Sequence, residues 1–207
     1  LFFVISGFVI SLPFFLGRTK STRNYFLNRI LRIYPISIVT VAIFMMSDIL
    51  VSGWMPNISD ILSSFFLLPS SVRPTPVILW TLKQELLFYF VFGLVFINPR
   101  LGLGCVVVWG LVSPFVASEN SIFLEWFFHP KNVQFVFGIA AAYAFTITKV
   151  PNKEAAVLAF CGFVAFLWAG WLTKTNESSA LIEALSLGFL SSLTIFGLAH
   201  TTINFSR

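Results

Sequence analysis

A glutamate and a tyrosine stand four residues apart near the start of an otherwise apolar stretch, residues 80–97. On a helix this spacing places Glu85 and Tyr89 on one face, one turn apart. A carboxylate inside a membrane costs about 2.5–3.5 kcal/mol on insertion scales, so it normally faces the interior of a helix bundle or a wet cavity. Such a group can act as a general acid or base, or can orient a histidine that does. We therefore predict that Glu85 and Tyr89 carry chemistry.

The same stretch admits a plainer interpretation. Lys83 and Glu85 could lie at the level of the lipid headgroups, with their charged ends extended to water. Phe92 and Phe96 continue the face with apolar groups, so a polar beginning gives way to an apolar body. The residues alone leave both interpretations open.

Two arginines three residues apart, Arg29 and Arg32, precede Pro35. Their spacing places them on one helix face, and Pro35 is expected at the start of the next membrane span. Paired guanidinium groups suit bidentate binding of phosphates. They also serve as topology anchors that meet anionic lipid headgroups. The pattern favours neither role over the other.

A pair of small or polar residues, Ser6 and Gly7, lies in the first apolar stretch between Phe2 and Phe8. Glycine lets two helices approach closely, and serine can hydrogen-bond across them. On its own this pair indicates a packing seam between helices.

The two histidines are isolated from each other and from other reactive residues. His129 precedes Pro130 in a polar segment, and His200 follows the last apolar stretch. Histidines of this kind are more often solvated than catalytic. The sequence contains no Ser-His-Asp arrangement, phosphate-binding loop or metal-ligand cluster, so no metal site is predicted.

Membrane helices must position all of these residues. The 207-residue chain is 57% hydrophobic and only 10% charged, whereas soluble domains are about 25% charged. We predict an all-α fold, a polytopic transmembrane bundle that forms a single domain over residues 1–207. Seven spans are expected, at residues 1–16, 35–51, 80–97, 101–117, 133–148, 155–172 and 180–199. The net charge of +5 does not indicate nucleic-acid binding, because the basic residues cluster beside hydrophobic spans.

The basic residues fall mainly on one side of this arrangement. Nine lie in segments expected inside: Arg18, Lys20, Arg23, Arg29, Arg32, Arg100, Lys149, Lys153 and Arg207. Three lie in segments expected outside: Arg73, Lys131 and Lys174. By the positive-inside rule the 17–34 segment is cytoplasmic and the 52–79 segment is external. The apolar run 61–68 in the external segment is too short to cross, since spanning needs about 20 residues.

Three motifs, taken in order, resemble a known family. Phe-Phe-Val-Ile-Ser-Gly-Phe at 2–8, Phe-Leu-Asn-Arg-Ile-Leu-Arg-Ile-Tyr-Pro at 26–35 and Trp-Thr-Leu-Lys-Gln-Glu-Leu-Leu-Phe-Tyr at 80–89 are similar to the ordered signature of the acyltransferase-3 family of integral membrane acyltransferases. Members of that family move an acyl group, commonly acetyl from acetyl-CoA, to a sugar hydroxyl on the far side of the membrane. The motif resemblance covers residues 1–97, and the rest of the chain resembles the family only in hydropathy.

The resemblance implies a role for each motif. Arg29 and Arg32 would bind the phosphates of acyl-CoA, a donor substrate rather than a permanently bound cofactor, on the cytoplasmic side. Ser6 and Gly7 would let two helices close around the path of the acyl group.

The third motif would supply the acceptor side. Glu85 would orient a catalytic histidine or help activate the acceptor hydroxyl, and Tyr89 and Trp80 would line the site, because aromatic faces stack on sugars. The partners implied are membrane lipid, acyl-CoA and a carbohydrate of the cell envelope. The implied location is the bacterial inner membrane.

The resemblance also predicts a catalytic histidine shortly before the first motif, upstream of Leu1. Neither His129 nor His200 matches that position. We therefore expect the chain to be an N-terminally truncated fragment that is inactive by itself.

Two other classes of protein compete with this interpretation. A transporter or flippase for a lipid-linked glycan would use the arginines to bind a lipid phosphate, and inverted repeats with paired broken helices are typical of transporters. No such repeat is visible, although Pro13 and Gly93 could break helices. A structural membrane subunit without chemistry is the third class, and Glu85 argues against it.

Overall fold

The computed structural model describes residues 1–18, 21–53, 55, 57–69, 79–116, 121–175 and 179–204. Within these ranges the chain forms helices and no strand, which confirms the predicted all-α class. The helices described there are α1 Phe2–Phe15, α2 Thr22–Ser52, α3 Ile58–Phe65, α4 Leu79–Gly93, α5 Pro99–Val116, α6 Ile122–Phe127, α7 Val133–Ile147, α8 Asn152–Thr175 and α9 Ala180–Asn204. A 3₁₀ turn, Leu94–Phe96, extends α4, and another, Pro130–Asn132, leads into α7.

Five of the described helices are long and apolar enough to cross a membrane: α2, α4 with its 3₁₀ turn, α5, α8 and α9. By contrast, α1 and α7 have only 14 and 15 residues. At 1.5 Å per residue they are about 21–23 Å long, against about 30 Å of hydrocarbon. The prediction of seven spans is therefore not confirmed: helices occupy the two remaining positions, but they are too short to cross unaided.

Helix α2 begins well before the position that the charge pattern indicates. The basic residues predict a loop over 17–34 and a span that starts at Pro35, whereas the structure has one continuous helix of 31 residues, Thr22–Ser52. The Ser21 side chain accepts a hydrogen bond from the Asn24 amide (3.4 Å) and caps the first turn. Pro35 lies inside this helix and does not begin it, and where the membrane span starts along the helix stays a prediction.

The chain divides into two compact units. The first contains Leu1–Thr19, Val106–Ala117 and Phe128–Arg207, and the second contains Lys20–Cys105 and Ser118–Phe127. Helix α5 contributes its beginning to the second unit and its end to the first. The prediction of a single domain stays a prediction.

In the first unit, α1, α7 and α9 share an apolar core that is rich in small side chains. Its buried members are Val4, Phe8, Ala141, Ala142, Ile195 and Ala199. Three of these six are alanines, which lets the helix backbones lie close together, as is typical of packing between membrane helices. This core positions the Ser6-Gly7 motif on α1.

In the second unit, α2 packs along α4 through aromatic rings. The Tyr25 ring lies 4.7 Å from the Phe96 ring and 6.2 Å from the Phe92 ring, measured between centroids. Further along α2, the Tyr34 hydroxyl donates to the backbone carbonyl of Phe66, the residue after α3 (3.4 Å). Helix α3 has eight residues and overlaps the apolar run 61–68, and a helix of this length is too short to span a bilayer.

Some positions used in the sequence predictions lie outside the described residues. They are residues 70–78 of the external segment, together with Lys20, Arg73 and Arg207 of the charge comparison. The predicted sidedness of the segments stays a prediction.

Candidate functional site

The Tyr89 hydroxyl donates a hydrogen bond to the Glu85 carboxylate, one helical turn earlier on α4. Glu85 is 3% exposed and Tyr89 is 1% exposed, so the pair is inside the protein. The shared helix face that the four-residue spacing predicts is therefore confirmed. Burial of a carboxylate is costly unless hydrogen bonds and opposite charge compensate it, and the Tyr89 hydroxyl supplies one such hydrogen bond.

A cation, Arg29 on α2, lies beside Tyr89. Its guanidinium carbon lies 5.4 Å from the centroid of the Tyr89 ring and 5.7 Å from that of the Tyr25 ring, both within cation–π range. The Tyr25 hydroxyl donates to the Tyr89 carbonyl (3.2 Å), which fixes this part of α2 against α4. Arg29, Tyr89 and Glu85 thus form a continuous line of contacts from a guanidinium to a carboxyl group.

Arg29 keeps some unused hydrogen-bonding capacity. Its Nε is shielded from solvent and has no hydrogen-bond partner among the described residues. A guanidinium has five N–H donors in a fixed fork. An anion that approaches Arg29 could accept hydrogen bonds from those of its donors that have no partner. The site is therefore chemically suited to a phosphate or carboxylate ligand.

Arg32 lies one turn further along α2 and is exposed. Both arginines were expected on one helix face before the next span, and the structure places them within the first half of a helix that is long enough to span. One side-chain contact, between Arg29 and Tyr89, therefore joins the predicted phosphate site to the predicted acid/base pair.

The polar beginning of α4 is buried against protein. Lys83 is 4% exposed and Gln84 is 3% exposed. The alternative in which Lys83 and Glu85 extend to water at the headgroup level is therefore wrong for this structure. Trp80, in the first turn, is half-buried.

Gln84 joins α4 to α6, and sequence reasoning did not single it out. Its Nε2 donates to the backbone carbonyl of Trp126 (2.8 Å). The signal was its position one turn after Trp80 on the same helix face. The sequence could not predict the contact with Trp126, because every residue type at that position has a backbone carbonyl.

Ser6 and Gly7 belong to the first unit, whereas the other predicted site residues belong to the second. At Gly7 α1 crosses α7: a Cβ added to Gly138 would lie 2.9 Å from the Gly7 Cα and against the Val4 carbonyl. The structure thus supports the packing-seam interpretation for Gly7. Ser6, which is buried in the same helix, has no observation that assigns it to a substrate.

The histidines also belong to the first unit. His129 Nδ1 accepts from the Lys131 amide (3.2 Å), and burial, reinforced by the Lys131 charge, lowers the pKa of His129 to about 4 although Glu183 opposes the shift. The side chains of Lys131 and Glu183 form an ion pair (3.2 Å).

The His200 ring lies between the rings of Phe145 and Phe196, with centroids 4.6 and 4.5 Å away. Its Nε2 is 3.2 Å from the Thr148 carbonyl oxygen, which ties the end of α9 to the turn after α7. This is a structural position in the helix packing.

The fold and the site together define an all-helical chain whose five long apolar helices fit an integral membrane protein, with an ionisable pair buried in one of them. No family model, curated protein or solved structure matches the chain.

Proposed function

We propose that the protein is a membrane O-acyltransferase. It moves an acyl group, in the first instance acetyl, from a cytoplasmic acyl-CoA to a sugar hydroxyl of a cell-surface or exported glycan, and it resides in the bacterial inner membrane. The observation that carries this proposal is the Glu85–Tyr89 pair, buried in an apolar helix and in line with Arg29. The resemblance of the three motifs to the acyltransferase-3 family agrees with it.

The reaction needs a group that removes a proton from the attacking hydroxyl. The sugar oxygen forms a C–O bond with the thioester carbonyl carbon, the C–S bond breaks, and the proton lost by the hydroxyl ends on the CoA sulfur. Glu85 serves this transfer as base, or by orienting a histidine that is the base. The hydrogen bond from Tyr89 holds the Glu85 carboxylate in one orientation.

The donor is recognised by the arginines. Arg32 is exposed and takes a CoA phosphate bidentately. Arg29, half-buried beside Tyr89, carries the same positive potential inward to the reacting end. This ordering fits a donor that arrives from the cytoplasm and an acceptor on the other side.

The same proposal includes seven crossings. We expect α1 and α7 to cross as a pair, because their Gly7–Gly138 contact lets them pack without an intervening side chain. Local thinning of the bilayer accommodates short helices at a modest cost.

A flippase for a lipid-linked glycan is the second candidate. It is favoured by the exposure of Arg32 on α2, beside the exposed apolar residues Leu31 and Ile36. A phosphate of a lipid headgroup could meet Arg32 there. The two candidates differ in one product, since only the transferase forms an ester.

The test is acyl transfer in proteoliposomes that contain the protein expressed from its complete gene. Radiolabelled acetyl-CoA is supplied on one side, and label is counted in the glycan. Glu85→Gln keeps the shape of the side chain and removes the charge, so it should lower transfer about 10²–10⁴-fold while insertion is kept. Glu154→Gln, at an exposed glutamate in the first turn of α8, is the matched control and should keep normal transfer.

Transfer of label at the normal rate by Glu85→Gln would remove the reason to place chemistry on α4. Movement of a lipid-linked glycan across the bilayer without ester formation would replace the transferase with the flippase.

A further inference from the structure

Two polar atoms at the contact between α4 and α6 have no hydrogen-bond partner among the described residues: Gln84 Oε1 and Trp126 Nε1. Both atoms are shielded from solvent, and Gln84 as a whole is 3% exposed. A buried donor or acceptor left unsatisfied costs about 1–3 kcal/mol. Two of them in a single residue pair call for a partner that the described residues do not supply.

The orientation of the Gln84 amide is set by its other hydrogen bond. Nε2 donates to the Trp126 carbonyl oxygen at 2.8 Å, and exchanging the two ends of the amide would place two acceptors against each other. The open end of Gln84 is therefore an acceptor. The open atom of Trp126 is a donor, since an indole N–H cannot accept.

A group that satisfies both atoms must donate one hydrogen bond and accept another. A hydroxyl does so, and so does water; a carboxylate, a phosphate or an ammonium does not. Arg29 and Arg32 suit anions, whereas the two open atoms between α4 and α6 suit a neutral group that both donates and accepts.

We infer that Gln84 and Trp126 form the acceptor subsite and hold a hydroxyl of the sugar. The inference rests on the proposed acyl transfer and names how its acceptor is bound. Aromatic surface is present beside the two polar atoms: the Phe123 ring lies 5.9 Å from the Trp126 ring and 5.8 Å from the Phe127 ring, between centroids. Rings of this kind pack on the apolar face of a sugar, while a few fixed polar atoms take its hydroxyls.

The subsite is next to the acid/base pair in the sequence of α4. Gln84 and Glu85 are consecutive, so they project about 100° apart around the helix and about 1.5 Å apart along it. A sugar ring that spans these two faces offers one hydroxyl to Gln84 for binding and a neighbouring one to Glu85 for reaction. Trp80, one turn before Gln84, extends the binding face.

A binding measurement tests the subsite without acyl transfer. The chain has six tryptophans, so the protein labelled with ¹⁵N at its indoles, in lipid nanodiscs, shows one N–H signal for each. The signal lost in Trp126→Phe belongs to Trp126. The probes are the methyl glycosides of glucose, galactose and mannose, each beside its fully O-methylated counterpart, which cannot donate to Gln84 Oε1.

At least one glycoside is expected to shift the Trp126 signal saturably, whereas its O-methylated counterpart leaves it in place. The signal of Trp168, which is 64% exposed on α8, is the matched control and should not move. A Trp126 signal that none of the three glycosides moves, at their highest soluble concentrations, would overturn the subsite and leave water as the group between the two atoms.

Kinetics give the second measurement. Trp126→Phe removes the indole donor and keeps the carbonyl that anchors Gln84, so the KM for the acceptor should rise about three- to tenfold with the KM for acyl-CoA unchanged. Trp168→Phe should alter neither. An unchanged acceptor KM in Trp126→Phe would count against the subsite, whereas a sugar-dependent Trp126 shift in a protein without acyl transfer would keep the subsite and refute the proposed function.

Discussion

The guanidinium carbon of Arg29 lies 5.4 Å from the ring centroid of Tyr89, although 60 positions separate the two residues in the chain. This contact brings the basic part of α2 to the middle of α4. It makes the predicted phosphate-binding arginine a neighbour of the predicted acid/base pair. The Arg29 charge therefore acts on whatever group is bound at the Glu85–Tyr89 pair.

The hydrogen bond from Tyr89 to Glu85 leads to the first prediction. Tyr89→Phe removes the hydroxyl and keeps the ring that faces Arg29. We expect acyl transfer to fall about 10–100-fold, since a hydrogen bond to a charged group contributes about 1.5–3 kcal/mol. The measurement is kcat in proteoliposomes, with Tyr143→Phe at an exposed tyrosine of α7 as control. Equal kcat values for the two variants would show that the hydroxyl does not orient Glu85.

The arginine pair leads to the second prediction. Arg29→Lys and Arg32→Lys keep the charge and lose the planar fork, so the KM for acyl-CoA should rise about tenfold or more in each. Arg100→Lys, at an exposed arginine at the start of α5, should leave it unchanged. Normal donor affinity in the Arg29 and Arg32 variants would return both arginines to the role of topology anchors.

The crossing of α1 and α7 leads to the third prediction. A Cβ at Gly7 would meet the Phe135 carbonyl and lie 3.2 Å from the Gly138 Cα. Gly7→Ala should therefore destabilise the protein by about 1–3 kcal/mol through overpacking, measured by thermal unfolding in detergent. At Gly104 on α5 an added Cβ meets nothing within 4 Å, so Gly104→Ala should be neutral or slightly stabilising. A Gly7→Ala protein as stable as the Gly104 variant would contradict the close crossing.

The orientation of the chain leads to the fourth prediction. Cys105 and Cys161 are exposed and would first be replaced by serine. In that background a maleimide that cannot cross the membrane should label Ser59→Cys in intact cells and should label Ser21→Cys only after the cells are opened. Both positions are exposed. Labelling of Ser21→Cys from outside would reverse the assigned topology.

The environment of His129 leads to the fifth prediction. Burial and the Lys131 charge lower the pKa of His129 from 6.5 to about 4. The unfolded chain therefore binds more protons than the folded one between these values, so stability is fully present above pH 6.5 and declines as the pH falls toward 4. Thermal unfolding measured from pH 7 to pH 5 should show a falling Tm, and His129→Gln should flatten that decline. An equal decline in both proteins would assign the pH dependence to other groups.

Contacts within one helix could be predicted from the spacing of residues in the sequence. The Glu85–Tyr89 contact follows from two positions four residues apart on a helix. The sequence could not predict that Arg29 reaches Tyr89, because that contact depends on the register of α2 against α4.

The charge pattern gave the wrong start for helix α2. Arginine has good helix propensity, so the basic segment before Pro35 is helical from Thr22 onward although its charges indicate a loop. The number of spans is not confirmed, because the helices at the first and fifth predicted positions have only 14 and 15 residues. The contact of Gln84 with Trp126 was missed because its acceptor is a backbone carbonyl, which every residue type has.

Because of that backbone contact, the residue that attaches α6 to α4 and the side chain that selects the sugar at the proposed site can change independently. Because Gln84 is anchored by the carbonyl of residue 126 and not by its side chain, α6 stays attached to α4 whatever residue occupies that position. Selection can then exchange the indole for another donor, acceptor or ring and so change which sugar is taken, without dismantling the fold. Homologous chains with different acceptors are therefore expected to keep glutamine at the position of Gln84 and to diverge at the position of Trp126.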